Sequence, residues 1–208
     1  MERYTNKEVT HVLDPVMLLD ASDYSEICGE RLIEESYLLL YLPADDNSKL
    51  RIAAKDYAKA NGLKIMEIST KLQEFSTSEM NCIGDAGIEE FLSAVRYADV
   101  VFTNSFHAIC FAIIFHVQFY AFSRSYAGKV KDICDVFKLT NRFFPDNNFT
   151  ECTELIDYKE VDEKWSYKKI ISQNWLNSAL SGGVRRILFL RGLYMIQISA
   201  TEPFMSVA

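Results

Sequence analysis

Apolar residues along this chain fall into short unbroken runs, and segments of helical periodicity lie between them. Residues 37–42, Tyr-Leu-Leu-Leu-Tyr-Leu, have no polar break and stop at Pro43. A run of this kind is a strand covered on both faces, which favours a parallel sheet over a half-solvated antiparallel one. The spacing of Leu50, Ile52, Ala53, Tyr57 and Ala60 predicts a helix over 48–61, with Asn61-Gly62 as its stop. Residues 63–69 alternate as a strand does, and the polar stretch 70–85 is expected to be a loop. A second helix is predicted over 87–98, with Ile88, Phe91, Leu92 and Val95 on its inner face.

The pattern repeats further on. Val100, Val101 and Phe102 read as a buried strand, 106–116 as a buried helix, and 118–123 as another strand. Residues 128–139 form a helix with Val130, Ile133, Cys134 and Phe137 inward, followed by a loop through 143–148. A short strand is expected at 155–158 and a last helix at 162–180, carrying Trp165, Ile170, Ile171, Trp175 and Leu176. Ahead of all this, Asp14-Pro15 splits the apolar segment 11–20, because proline cannot sit in a central strand. A short helix is expected at 22–33. Strands alternating with helices in this order predict an α/β fold, a Rossmann-like parallel sheet with flanking helices.

The chemistry concentrates at one junction. Thr103-Asn104-Ser105 separates a buried strand from a buried helix, Ser105 is placed to cap that helix, and His107 falls in its first turn. In open parallel sheets, ligands bind beyond the carboxyl ends of the strands, where helix N-termini present free N–H groups. His107 is therefore the leading chemical candidate, although a lone histidine in an apolar helix also fits a satisfied structural residue. Asn104 fits either a turn former or a ligand contact. His116 suits the C-terminal end of the same helix, where it would meet the dipole. Asp99 reads as the start of a strand, and the glutamate pairs at 34–35 and 89–90 as solvated faces.

Composition narrows the function classes. With 208 residues, the chain can build one ordinary domain or two small ones. A net charge of −7 argues against a nucleic-acid surface. No run of 18 apolar residues exists, so no membrane span is expected. The charged start, Met-Glu-Arg-Tyr-Thr-Asn-Lys-Glu, lacks a signal-peptide core, and a cytoplasmic location is expected. Cys28, Cys82, Cys110, Cys134 and Cys152 are scattered and odd in number, as suits buried thiols in a reducing compartment. No metal site is expected, and no G-x-G-x-x-G, Walker or H-E-x-x-H motif occurs. After Ser181, the apolar segment 187–198 contains Arg191 and Gly192, and its role stays open between edge strand, partner-binding segment and tail.

Asp14-Pro-Val-Met-Leu-Leu, Tyr37-Leu-Leu-Leu-Tyr-Leu, Glu90-Phe-Leu and above all Ala98-Asp-Val-Val-Phe-Thr-Asn-Ser-Phe-His-Ala resemble the polysaccharide pyruvyl transferase family. So does the stretch from Gly128 to Arg142. On these residues the resemblance runs from about Val12 to about Leu180. It implies two Rossmann-like lobes of the GT-B type with a cleft between them, and Asp14-Pro15 looks like the crossing into the second. The chain thus resembles the C-terminal lobe alone: an extension over 1–13, a lobe over 14–180 and a tail over 181–208.

The resemblance also implies an activity. Family members move the enolpyruvyl group of phosphoenolpyruvate to sugar hydroxyls in surface polysaccharide assembly, with no cofactor beyond that donor. Such chemistry needs an acid for the enol carbon, a base for the hydroxyl and donors for a carboxylate and a phosphate, and histidine suits proton transfer near neutrality. His107, at the family's Ser-Phe-His or Arg-Leu-His position, would be the acid/base residue. Some members carry arginine where this chain has Ser105. Asn104, Ser105, Arg124, Lys129 and Arg142 are the remaining substrate-binding candidates, the arginines for bidentate contact. The implied partners are a sugar or lipid-linked saccharide acceptor, and a second chain supplying a first lobe or self-association. A non-catalytic anion- or sugar-binding lobe and a truncated remnant are the other readings.

Overall fold

The computed structural model describes residues 10–43, 48–69, 80–123, 128–146 and 148–181. Six strands form one sheet: β1 Tyr37–Tyr41, β2 Lys64–Ile68, β3 Met80–Ile83, β4 Val100–Thr103, β5 Gln118–Ser123 and β6 Phe143–Pro145. Their order is β3-β2-β1-β4-β5-β6 and every pairing is parallel. The helices are α1 Ala21–Ser25, α2 Ser48–Ala60, α3 Ile88–Arg96, α4 Phe106–Ile114, α5 Lys129–Phe137 and α6 Tyr158–Ser181.

The two sheet faces follow from period-2 alternation. Leu38 and Leu40 share a face with Val100, Phe102, Tyr120 and Phe122, and this face packs on Leu50, Ala54 and Ala58 of α2. Helices α3, α4 and α5 lie side by side, α3 on α4 and α4 on α5. An aromatic cluster closes the β5–β6 side of the α2 face: Phe149 lies 5.0 Å from both Phe102 and Tyr120, and 5.5 Å from Phe144. Fully buried rings such as Phe102 and Phe122 each contribute on the order of 1.5–3 kcal/mol through area removed from water.

Helix ends use the left-handed region where the chain must turn. Gly62 (φ 66°) ends α2, and Leu63 N donates back to Ala58 O at 2.8 Å. His116 does the same for α4 at φ 57°, with Val117 N bonded to Ala112 O at 2.8 Å and its ring stacked on Tyr158 at 4.7 Å. It is thus a capping residue at the helix end.

Several expectations need correction. The helix expected at 22–33 stops at Ser25, because the chain leaves it to let Gly29 N reach Glu89 O at 3.3 Å. Part of the expected loop 70–85 is β3, an edge strand whose half-exposed residues hide the apolar signal; 70–79 lie outside the described residues. Within the expected loop 143–148 lies β6, which tolerates Pro145 because it is an edge strand. No strand forms at 155–158. Ile156 N instead takes the Gln118 side-chain oxygen at 2.8 Å, and Tyr158 opens α6. Ile88, expected inward, is 72 % exposed at the first position of α3.

The chain divides into two compact units: Leu19–Val161, and a second made of the segment up to Leu18 with Asp162 onward. In the second, the extended segment and a 3-10 turn at Pro15–Leu18 are stapled to α6. Trp165 Nε1 donates to Met17 O at 2.8 Å and Leu13 N to Ser172 Oγ at 2.9 Å. Among the described residues, no helix is long and apolar enough to cross a membrane. The apolar tail segment 187–198 lies outside the described residues.

Candidate functional site at the carboxyl edge of the sheet

From β1 the chain winds through α2 toward β2, and from β4 through α4 toward β5, in opposite directions along the sheet. The switch point lies between β1 and β4, where a doubly wound sheet opens a crevice beyond its strand ends. The first turns of α2 and α4 both start at this edge, because parallel strands place every following helix N-terminus there.

The turn after β4 is tightly organised. Buried Thr103 donates through Oγ1 to Tyr41 O at 2.6 Å, and the same oxygen accepts from Ser105 N at 3.0 Å. Ser105 caps α4 in extended conformation (φ −93°, ψ 123°), its Oγ accepting from Ala108 N at 3.4 Å. From Ala108 to Ile114 every residue of α4 is buried. An all-apolar helix belongs to the core, so the exposed ring of His107 at its start stands apart from the rest of the element.

Around His107 the structure gathers three of the other predicted residues, Asn104, Ser105 and Lys129. Asn104 and Ser105 are half-buried in the turn, and the Phe106 ring meets the His107 imidazole edge-on at 5.4 Å. Lys129, the first residue of α5, holds its ammonium 5.6 Å from the centroid of the same Phe106 ring. A lysine over an aromatic face is held by the ring quadrupole, a modest attraction that limits where the charge wanders. The turn therefore presents an imidazole, an amide, a capped helix N-terminus and an ammonium at one edge, a set that suits an anionic ligand with a proton to exchange. Arg124 lies outside the described residues.

Arg142 is elsewhere. It is 2 % exposed, its guanidinium lies 5.1 Å over the Tyr120 ring, and it donates to Glu154 O. Its place in the fold is interior, just ahead of β6, and a surface cation contacting substrate is not what it forms. A small cavity of about 220 Å³ lies there, lined by Asn141, Arg142 and Glu154 among others. A larger one of about 470 Å³ lies between the end of α2 and the starts of β1 and β2, lined by Lys55, Lys59 and Lys64.

Burial shifts several groups. The Cys134 thiol is pushed up to about 12, mainly by burial and further by the Asp135 carboxylate. The Tyr57 hydroxyl is likewise pushed up to about 12 by burial, with Tyr120 and Glu151 adding to it. Tyr120 is raised chiefly by burial, with Arg142 opposing. Among the described residues no three His, Cys, Asp or Glu side chains gather as a metal site would need.

Two polar features escaped the sequence reading. Thr103 reads as the first residue of the polar turn but is the last of β4, and its bond to Tyr41 carries no pattern signal because the two lie 62 residues apart. Glu67, buried in β2, pairs with Arg51 of α2, whereas a single glutamate in an alternating strand reads as solvent-facing.

An open parallel sheet wound both ways from β1 and β4, with polar side chains at the switch point, defines a Rossmann-like α/β protein. The glycotransferase of kitacinnamycin superposes with a TM-score of 0.51 at 8% identity, over 74% of this chain and 44% of its own. UDP-GlcNAc 2-epimerase from Methanocaldococcus jannaschii gives 0.41 at 15% identity, over 70% of this chain and 41% of its own. At these identities the likeness is one of fold, and the chain spans less than half the length of either structure. No curated protein matches the chain. The chain belongs to the polysaccharide pyruvyl transferase family, whose family model matches residues 1–126.

That match corrects the extent and placement expected from the sequence. It covers the N-terminal part of this chain from residue 1, not 12–180, and it ends just beyond β5. The assignment to a C-terminal lobe alone falls with it. The stretch from Gly128 to Arg142, counted into the resemblance, lies outside the match together with α5, β6 and α6.

Proposed function

We propose that the turn from Thr103 to His107 is the donor site of a pyruvyl transfer, in which phosphoenolpyruvate supplies the pyruvyl group to a sugar hydroxyl of a surface polysaccharide precursor. The observation that most supports this reading is the exposed imidazole in the first turn of α4, whose residues from Ala108 to Ile114 are all buried, inside the region the family match covers. His107 protonates the enol methylene carbon, and one acceptor hydroxyl adds to C2 and returns its proton to the imidazole. A second hydroxyl closes the ketal as the C2–O bond to phosphate breaks, and inorganic phosphate leaves with the second proton. The N-terminus of α4 and the Lys129 ammonium hold the phosphate and carboxylate, with Asn104 and Ser105 as neutral contacts. The acceptor is a sugar or a lipid-linked saccharide reaching the open side of this edge.

The test is calorimetric titration of the full chain with phosphoenolpyruvate, beside His107→Ala and Lys129→Ala. Binding that is lost in the first variant and weakened in the second supports the donor site. A ligand at 100 times its dissociation constant stabilises a fold by about 2.7 kcal/mol, so the melting temperature gives an independent readout. A cooperatively melting chain with no response to phosphoenolpyruvate overturns the reading. Binding without turnover on any saccharide acceptor leaves an anion-binding module instead.

A further inference from the structure

We infer that Thr103 is the positioning residue of this edge: one buried hydroxyl, shared between β1 and the N-cap of α4, sets where the Asn104–His107 turn stands and so where His107 is presented. The inference rests on the donor-site reading for its functional consequence and on the geometry alone for its structural one.

Thr103 is the last residue of β4 and has no exposed surface. Its three predecessors in the strand are Val100, Val101 and Phe102, so packing alone is satisfied there by an apolar side chain. Valine has nearly the same shape. What threonine adds is one O–H donor and an acceptor on the same atom. The donor reaches Tyr41 O at 2.6 Å, at the end of β1, and the acceptor takes Ser105 N at 3.0 Å. Both partners are main-chain groups at places where regular pairing ends: Tyr41 closes its strand, and Ser105 precedes its helix. Main-chain groups buried without a partner are strongly disfavoured, so the two bonds pull the turn down onto β1 and hold it.

The consequence runs outward through bonded atoms. Fixing Ser105 N orients the Ser105 side chain, whose Oγ takes Ala108 N at 3.4 Å, and its carbonyl takes Ile109 N at 3.2 Å. Those contacts define the first turn of α4, on which His107 sits. The hydroxyl also spans the two strands flanking the switch point, so it ties the turn to the strand on the other side of the crevice. A catalytic group presented from such an edge must be held to a fraction of an ångström to act, and a rigid support is how that is achieved.

Amide hydrogen exchange on the full chain, followed by NMR, separates this role from simple packing. In Thr103→Val the amides of Ser105 and Ala108 are expected to lose protection by about tenfold or more, while Val101 and Phe119 keep theirs. Thr103→Ser keeps the hydroxyl and should leave all four within about twofold of the native chain. The affinity for phosphoenolpyruvate follows the same split, falling at least about tenfold in valine and holding in serine, since binding tracks the turn and not the volume. Should the valine chain not fold, Thr103→Ala takes its place against serine, and the same difference is required. Equal exchange in the valine and serine chains overturns the inference, as does protection lost evenly across β4 and β5. A native chain that ignores phosphoenolpyruvate overturns the donor reading alone, and the exchange result still decides whether Thr103 positions the turn.

Discussion

At the amino end of the parallel sheet, polar groups face one another; at the carboxyl end, some of them face outward. Tyr37 N donates to the Asp99 carboxylate at 2.8 Å while Asp99 N returns a bond to Tyr37 O at 3.0 Å. Beside them Lys64 N reaches Ser36 O at 2.9 Å, and the Tyr37 hydroxyl reaches Ala94 O at 2.9 Å. At the other end, Thr103 and Ser105 bind main chain, but their bonds serve to hold up a turn from which His107, two residues on, is exposed. The same kinds of side chain are structural at one end and presented at the other. What separates them is whether the last group in each bonded chain turns inward or out.

The largest expected effect comes from groups on the inner sides of the helices that flank the sheet, against which both ends are measured. Cys134 holds its proton to about 12 in the folded chain, against about 9 for an ordinary thiol. Tyr57 behaves alike, held to about 12. Both folded values are raised, so the unfolded chain binds fewer protons than the native one through this window. The stability these groups protect is complete below about pH 9 and falls as pH rises toward 12, by about 4 kcal/mol for Cys134 alone if the native thiol stays neutral. Urea midpoints measured from pH 8 to 11 should decline, and Cys134→Ala should flatten the decline.

Arg142→Ala should be next in size, costing about 3 kcal/mol for the lost charged hydrogen bond to Glu154 O and the lost contact with Tyr120. Denaturation should show that loss while anion affinity stays level; a fall in affinity at unchanged stability would return Arg142 to the site. Asp99→Ala removes one acceptor from the closed edge and should cost about 1–2 kcal/mol, read from the same curves. His107→Ala should move stability by less than about 0.5 kcal/mol, as exposed positions do, yet abolish the response to phosphoenolpyruvate. If Asp99 and His107 changed places in this ranking, the contrast between the two ends would be lost.

Much of this was legible in the chain. Unbroken apolar runs revealed β1, β4 and β5 because those strands are covered on both faces, and the polar triplet that begins at the last residue of β4 marked the junction with α4. The edge strands β3 and β6 were not legible, since partial exposure admits Asn81 and Pro145 and breaks the run. Arg142 misled for a different reason: sequence gives a guanidinium a charge but not an address, and only its neighbours Tyr120 and Glu154 reveal that it is interior. Thr103 stayed hidden because its meaning lies in a partner brought near by topology.

That long-range partnership also bears on how the protein is made. β1 and β4 are neighbours in the sheet, but the chain between them runs through α2, β2, β3 and α3. Closing a segment of this length is entropically slow, and folding rates fall as contacts reach farther along the chain. The bond from Thr103 to Tyr41 spans 62 residues, so the crevice exists only once the central pairing of the sheet has formed. A nascent or partly unfolded chain has its histidine but nowhere to present it. On the proposed donor-site reading, ligand binding at this edge reports completed folding.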